Sequence, residues 1–524
     1  MGDYPVRVDQ SPHLAKHEAA VSIIAQQVAH FDASDIPFRI FHGNTNSTRP
    51  SVRTRACTID ISSLHNVISV NQTTRTCLVE PNVPMDALVA ATLPYGLVPP
   101  VVPEFPGITV GGAFAGTAGE SSSFRHGFFD KAVTWTEVIL PDGEIVIASK
   151  DKNEDLFSGL AGTFGTLGIT TLFEISLVPA KKFVELSYIP VGNIEDAQRV
   201  MHQVTEDKEM DFLDGIMFAP ERGVVMAAKF AGRNSTNSGM PVVTFTKAWD
   251  QWFYLHTEQV TNKSTGVDTI KSTTPTSKSP AAAHRELIPL TDYLFRYDRG
   301  AFWTGRFAFT YFLTPFTRFI RWLGDRYMHT RIMYHALHRS GLMQRFIIQD
   351  MALPNKNIPE FSAWLDTELP HIYPRWLCPL KTEGTVSMHP HLAPAAASND
   401  DALLNIGVWG PTPPGMRQVT VNRKIEAKLT SLQGMKWLYA QTFYTEDEFW
   451  QIYDRTWYEA LRKKYRAEKL PSVYEKVRTK FEVEPNTDGD VRLGIEKGFW
   501  SIWPFAGVYG VLSAIKGGDY LRKS

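Results

Sequence analysis

Six glycines, Gly107, Gly111, Gly112, Gly116, Gly119 and Gly127, fall between Pro103 and Phe129 in the stretch PEFPGITVGGAFAGTAGESSSFRHGFF. Small residues and hydroxyls fill most of the gaps. A backbone of this kind approaches a ligand closely and aims its N–H groups at negative charge. A pyrophosphate needs such a cradle, and flavin and pyridine dinucleotides carry one. Two more clusters have similar chemistry: His42-Gly43-Asn44-Thr45-Asn46-Ser47-Thr48, and GTFGTLG from Gly162 to Gly168. Neither G-x-G-x-x-G nor G-x-x-x-x-G-K-[ST] occurs, so a Rossmann or P-loop reading has no support. The glycines alone would equally serve a tight structural turn.

The elements around these clusters read as mixed α and β. Apolar residues at helical spacing predict an amphipathic helix over His13–Phe31. Short strands are expected at 38–41, 58–61, 67–70 and 76–79, and a helix at 84–93. Pro141-Asp142-Gly143 between two β-runs, 134–140 and 144–148, is a hairpin signal. A further β-run, 169–178, follows the GTFGTLG cluster. From about residue 180 the pattern becomes strand, helix, strand, strand: 184–190, 194–204, 216–218 and 224–230. A similar order returns at 345–351, 359–369, 376–379, 404–409, 423–432 and 437–442. Such a repeat builds an antiparallel sheet with helices on one face. Residues 262–283 are rich in Ser, Thr, Pro and Lys and read as a flexible loop. Residues 293–338 are dense in aromatics and arginines. They read as a helical insertion, as a surface that meets lipid, or as the wall of an apolar pocket.

Composition sets outer bounds. The chain has 524 residues, too many for one core, and 43 % are hydrophobic, which excludes wholesale disorder. A net charge of −1 implies no general attraction to nucleic acid. Cys57, Cys77 and Cys378 are sparse and lack metal-ligand spacing, so no metal site and no disulfide framework are expected. Residues 1–20 are polar and predict no signal peptide.

The three clusters, as a loop after an early strand, a long TVGG segment and a GTLG segment before a β-run, resemble the flavin-binding domain of the vanillyl-alcohol-oxidase type. VEPNVPM (79–85), the TVGG…ESSS stretch, DLFSGLAGTFGTLG (155–168) and VPAKKFVELSYIPV (178–191) are similar to the Δ24-sterol reductases. So are QDMALP (349–354), YPRWLCP (373–379), EFWQIYD (448–454) and LRKKYRA (461–467). The resemblance implies an α+β chain. An N-terminal helix (1–34) leads into a two-subdomain PCMH-type FAD-binding domain (35–180). An antiparallel-sheet substrate domain (181–480) with helices on one face follows, then an apolar tail (481–524).

It also implies an FAD-dependent ene-reductase that uses NADPH to saturate an isolated side-chain double bond of a sterol. An unactivated alkene has no carbonyl to stabilise hydride addition, so the reaction needs a proton donor and a dry pocket. On this resemblance Thr109, Val110, Gly111, Gly112, Gly116, Gly119, Ser121 and Ser122 form the main cofactor segment, with Gly43, Asn44, Thr45 and Ser47 in the early loop and Gly165, Thr166 and Gly168 toward the adenine. Covalent attachment through His42 or His126 lacks the flanking pattern, so FAD is expected to be noncovalent. Glu120 is the first candidate proton donor and Glu104 the second, although a Glu in a Gly-rich loop commonly just caps N–H groups. Gln349, Asp350, Tyr373 and Arg375 are candidate substrate contacts.

Two departures bear on the substrate. The family's membrane-anchoring first helix has no counterpart in residues 1–20, and its His-rich stretch is replaced by TDYLFRYDRGAFW (291–303). A terpenoid or other lipid substrate therefore stays open, as does an FAD-linked oxidase or dehydrogenase of the same fold, or a sterol-binding scaffold without flavin. The run FWSIWPFAGVYGVLSAI (499–515) is slightly short for a bilayer span. It is expected to lie at an interface or to pack on the protein. The expected location is the cytosolic face of the endoplasmic reticulum membrane, or the cytosol if the tail packs on the protein. The oligomeric state is not readable.

Overall fold

The computed structural model describes residues 12–42, 57–232, 239–265, 284–381, 388, 403–479 and 504–517. The expected cofactor loop with Gly43, Asn44, Thr45 and Ser47 lies outside them, as do 266–283 of the expected flexible loop and 481–503 of the tail.

The first helix spans Pro12–Ala33 and buries Leu14, His17, Val21, Ile24, Val28 and Phe31. That stripe has the spacing of one helical face, which fixes how the helix lies on the strands beneath. His17 is the one polar group in it and reaches Glu80 at 2.8 Å and Glu137 at 3.0 Å. The strand Arg39–Phe41 then pairs in parallel with Thr58–Asp60. A separate antiparallel sheet runs in the order Val67–Asn71, Thr76–Val79, Ile169–Ser176, Val133–Ile139, Ile145–Ser149. The expected hairpin is its edge. Gly143 in the turn has φ +90°, and a Cβ there would sit 2.7 Å from the Ala25 carbonyl, so the turn is glycine because the first helix crosses it.

The second sheet has eight antiparallel strands. Their order is His284–Pro289, Phe183–Val191, Arg222–Ala231, Phe212–Ala219, Arg375–Leu380, Leu403–Pro411, Phe346–Pro354, Met435–Lys436. The helices Ile194–Thr205, Ile358–Glu368 and Gln418–Ser431 share one apolar core with these strands. The residues on the other side of the strands join a second core with the first domain. The α+β architecture therefore has helices on one face of the sheet and the cofactor-segment domain against the other.

Three elements differ from expectation. The strand expected over 437–442 is only Met435–Lys436. The Trp437 N–H makes the last bond to the neighbouring strand, at 3.1 Å to the Asp350 carbonyl, and its indole nitrogen donates to the Thr117 carbonyl of the first domain at 2.9 Å. The helix Phe253–Thr265 runs through the first residues of the expected loop. Finally, a return segment after the second sheet brings the helices Arg455–Lys464 and Val473–Val477 onto the first domain, while Glu448 of the helix Glu446–Ile452 stays paired with Arg423 of the helix Gln418–Ser431 at 2.8 Å. Lys464 and Tyr465 bond Asp155, Arg466 bonds Glu144, and Lys469 bonds the Asp32 carbonyl. The later part of the segment therefore bonds the first domain, although it follows the second sheet in the chain.

The insertion over 293–338 is helical, with Gly305–Tyr311, Arg318–Leu323 and the start of Thr330–Ser340. The tail helix Phe505–Gly517 packs on it, where a Cβ on Gly507 would meet Tyr311 and Phe312 at 2.5 and 2.6 Å. Pro504 precedes this helix and so does not break it. Among the described residues no helix is long and apolar enough to cross a membrane.

Candidate active site

Thr109 is extended and caps the helix Val110–Ala115, its hydroxyl accepting from the Gly112 N–H at 3.2 Å. This turns the glycine stretch along a cavity of about 340 Å³ between the two domains. That volume lies in the ordinary range for ligand pockets, roughly 300–1,000 Å³. Thr109, Gly111, Gly112, Gly116, Gly119, Gly165 and Gly168 all line it, while Val110 is buried behind them. Gly111 also has a structural reason to be glycine, since a Cβ there would stand 2.8 Å from the Pro81 ring. The cradle is therefore built by close backbone packing.

Ser121 and Ser122 are turned away from the cavity. Both hydroxyls bond the Glu120 carboxylate, Ser121 at 2.7 Å. Glu120 is buried and off the cavity wall. Glu104 lies on the wall, is 7 % exposed, and its Oε1 has no hydrogen-bond partner among the described residues. Burial pushes the Glu104 carboxyl well above the usual range, and the nearby Glu120 adds to this while Arg296 opposes it. Burial also raises Glu120, but the two serine hydroxyls favour its charged form. Of the two, Glu104 is pushed further from its ordinary range, because no serine hydroxyl stabilises its charged form. Beneath them, buried Asp214 accepts from Arg296 at 3.0 Å, Tyr297 at 2.7 Å and Trp376 at 3.1 Å.

Asp350 is the second carboxyl on the wall. It accepts from Tyr439 at 2.6 Å and from Asn405 at 3.2 Å. Burial raises its pKa, and these donors only partly oppose the shift. Around Glu104 and Asp350 the wall is aromatic. Phe105 makes edge contacts with Phe302, Tyr334 and Trp409 at 5.7, 6.0 and 5.9 Å. Phe302 belongs to the replaced stretch 291–303, so that departure does reach the cavity.

The other expected substrate contacts face away. Strand residues alternate faces, so Gln349 beside Asp350 turns to Asn422 at 2.7 Å. Arg375 beside Trp376 turns to Asp366, also at 2.7 Å, and Tyr373 bonds the same carboxylate at 2.6 Å. Thr166 bonds Tyr458 at 2.8 Å and lines only a small recess beside the cavity. His42 is on the cavity wall and His126 is not. Sequence reasoning missed Arg39, Asn405, Trp409, Tyr439 and Lys476, all on the wall. The strand alternation that places Asp350 could have found Asn405 and Trp409, while Lys476 has no local signal. Among the described residues no cluster could hold a metal ion.

The FAD binding domain family matches residues 15–149, which hold the first helix and the glycine stretch. The residues present fit that cofactor: glycines close to the cavity, a capped helix, and two cations beside the Gly165 loop. The chain is an FAD-dependent oxidoreductase. This flavoenzyme is similar to the Δ24-sterol reductase of Homo sapiens, 27 % identical over 421 residues, covering 79 % of this chain and 76 % of the human protein. The Pisum sativum Δ24-sterol reductase is 28 % identical over 453 residues, covering 79 % and 75 %. Cytokinin dehydrogenase 9 of Oryza sativa subsp. japonica matches only 26 % of each chain, at 28 % identity. The likeness to the sterol reductases thus extends across the second sheet.

Proposed function

We propose that this flavoenzyme is an NADPH-using ene-reductase that saturates an isolated side-chain double bond of a sterol. The observation that carries the reading is Glu104: a buried carboxyl on the wall of an aromatic chamber beside the cofactor segment, pushed well above its ordinary range by burial and by Glu120. The names of the relatives support the substrate class.

When bound, noncovalent FAD supplies the hydride that NADPH provides. The chain's own residues do the rest. Phe105, Phe302, Tyr334 and Trp409 exclude water and hold the apolar side chain. Glu104 gives its proton to the less substituted alkene carbon, so that positive charge develops on the other carbon, where hydride adds. Glu120, fixed by Ser121 and Ser122, helps to raise the Glu104 carboxyl above its ordinary range, which favours its proton-bearing form. Overall the alkene, NADPH and one proton become the saturated product and NADP⁺.

A second reading is an FAD-linked oxidase or dehydrogenase acting on a terpenoid or other lipid. Phe302, from the replaced stretch, favours it, because that residue shapes the chamber. Membrane association at the cytosolic face of the endoplasmic reticulum is part of the proposal. Leu313, Phe319, Trp322 and Leu323 of the insertion are 76, 57, 43 and 66 % exposed, and Leu512 of the tail helix is 55 % exposed.

Anaerobic stopped-flow absorbance tests the reading. NADPH should bleach the flavin and desmosterol should restore it with formation of the saturated product. Recovery by oxygen alone would move the substrate elsewhere. No bleaching by NADPH would favour the oxidase.

A further inference from the structure

Two cations meet at the Gly165 loop of the cavity, and they come from opposite ends of the chain. Arg39 lies in the parallel strand pair and Lys476 in the helix Val473–Val477 of the return segment. Both line the cavity, and both line the recess beside it with Gly165 and Thr166. Among the described residues of the wall they are the only lysine and arginine. The carboxyls on the wall, Glu104 and Asp350, sit instead with the aromatic chamber. The cavity therefore separates its charges.

The return segment is built to hold Lys476 in place. Ser472 and Glu475 form a capping box that starts its helix. The Tyr458 hydroxyl ties that helix to the loop, accepting from the Val473 N–H at 2.9 Å and bonding Thr166 at 2.8 Å. The Lys476 ammonium donates to the Phe164 carbonyl, and a Cβ on Gly165 would lie 3.8 Å from it. Phe164 and Gly165 have φ values of +52° and +72°, a left-handed pair at the centre of a tight turn that the Thr166 N–H closes on the Thr163 carbonyl at 3.2 Å. The loop, its lysine and Arg39 thus make one positive corner.

We propose that Lys476, with Arg39, anchors the diphosphate of the flavin dinucleotide, and that residues 446–479 are a strap that completes a cofactor site begun by residues 15–149. This rests on the FAD reading above. NADPH carries the same phosphate chemistry. FAD is favoured over NADPH because the Gly165–Gly168 loop that holds Lys476 continues the wall of the glycine cradle.

The test uses the full-length apoprotein as wild type, Lys476→Gln and Lys476→Arg. Each is titrated with FAD and with riboflavin, which has the ring but no phosphate, following flavin fluorescence. NADPH affinity is measured on the reloaded forms, and melting of the apoproteins reports folding. Loss of one charge-assisted contact is expected to weaken FAD by about tenfold or more in Lys476→Gln. Riboflavin binding and apoprotein melting should be unchanged, and Lys476→Arg should bind FAD nearly as wild type. Equal weakening of FAD and riboflavin would mean that Lys476 only braces the loop, and unchanged FAD binding would remove it from the site. Normal FAD affinity with weakened NADPH would assign the corner to the reductant and overturn the flavin assignment. A wild-type protein that takes up no FAD would instead sink the flavoenzyme reading itself.

Discussion

Tyr439 donates a 2.6 Å hydrogen bond to Asp350 on the cavity wall, joining a segment that has left the sheet to one of its inner strands. The contact needs room. Gly407 lies directly opposite Asp350 in the ladder, and a Cβ there would stand 2.7 Å from the Asp350 carboxyl oxygen. Tyr439→Phe removes one donor that favours the ionised form, so the Asp350 carboxyl should rise further from its ordinary range. The apparent pKa seen in pH profiles of sterol binding should move upward, with flavin content unchanged. A profile identical to wild type would show that this carboxyl does not face the ligand.

Glu104→Gln separates the two halves of the proposed reaction. The amide keeps the shape and cannot deliver a proton. General-acid catalysis is commonly worth about 10²–10⁴-fold, and a loss of that order is expected in the alkene-reducing step. Flavin reduction by NADPH should be unchanged in stopped flow. The sign with pH follows from the raised pKa: in wild type the alkene-reducing step is full while Glu104 is protonated and falls as pH rises through its elevated value. An equal loss in both half-reactions would point to a general disturbance of the site.

His17 should make stability depend on pH. Burial alone would lower its pKa, but bonds and charge from Glu137 and Glu80 outweigh this and raise it from 6.5 to about 9. A raised histidine contributes stability that is full below its unfolded value and lost as pH rises through its folded one. Thermal melting should therefore be steady near pH 6 and fall between pH 7 and 10, and His17→Gln should flatten that fall. Removing the imidazolium also leaves two buried carboxylates without their cation, which costs about 3–5 kcal/mol when nothing compensates. Asn66 and Thr171 still bond Glu80 and Glu137, so the lower part of that range is expected.

Much of this arrangement was legible in the sequence. The glycine stretch marked the cradle, and the strand-helix-strand repeat marked the second sheet, because turn chemistry and periodicity are local. Which face of a strand meets the cavity was not legible. The strand Phe346–Pro354 is buried on both sides, so Gln349 and Asp350 read alike until the helices claim one side. Ser121 and Ser122 looked like cofactor donors, but the nearest acceptor was the carboxylate of the preceding Glu120. The bond between Lys476 and Phe164 spans 312 positions, a distance that no local pattern reports.

Gly111→Ala tests whether close backbone packing, rather than loop flexibility, makes the cradle. The Gly111 N–H donates to the Pro81 carbonyl at 2.8 Å, and an added Cβ would lie 2.8 Å from the Pro81 ring and 3.1 Å from that carbonyl. Neither a proline ring nor a backbone carbonyl yields as a flexible side chain does, so the helix Val110–Ala115 must shift outward into the cavity. Crowding of this kind typically costs about 1–3 kcal/mol. The purified protein should carry less flavin per chain by absorbance, and added FAD should raise its melting temperature less than it raises that of wild type. A Gly111→Ala protein with full flavin and unchanged melting would show that Pro81 gives way, and that the cradle does not depend on this contact.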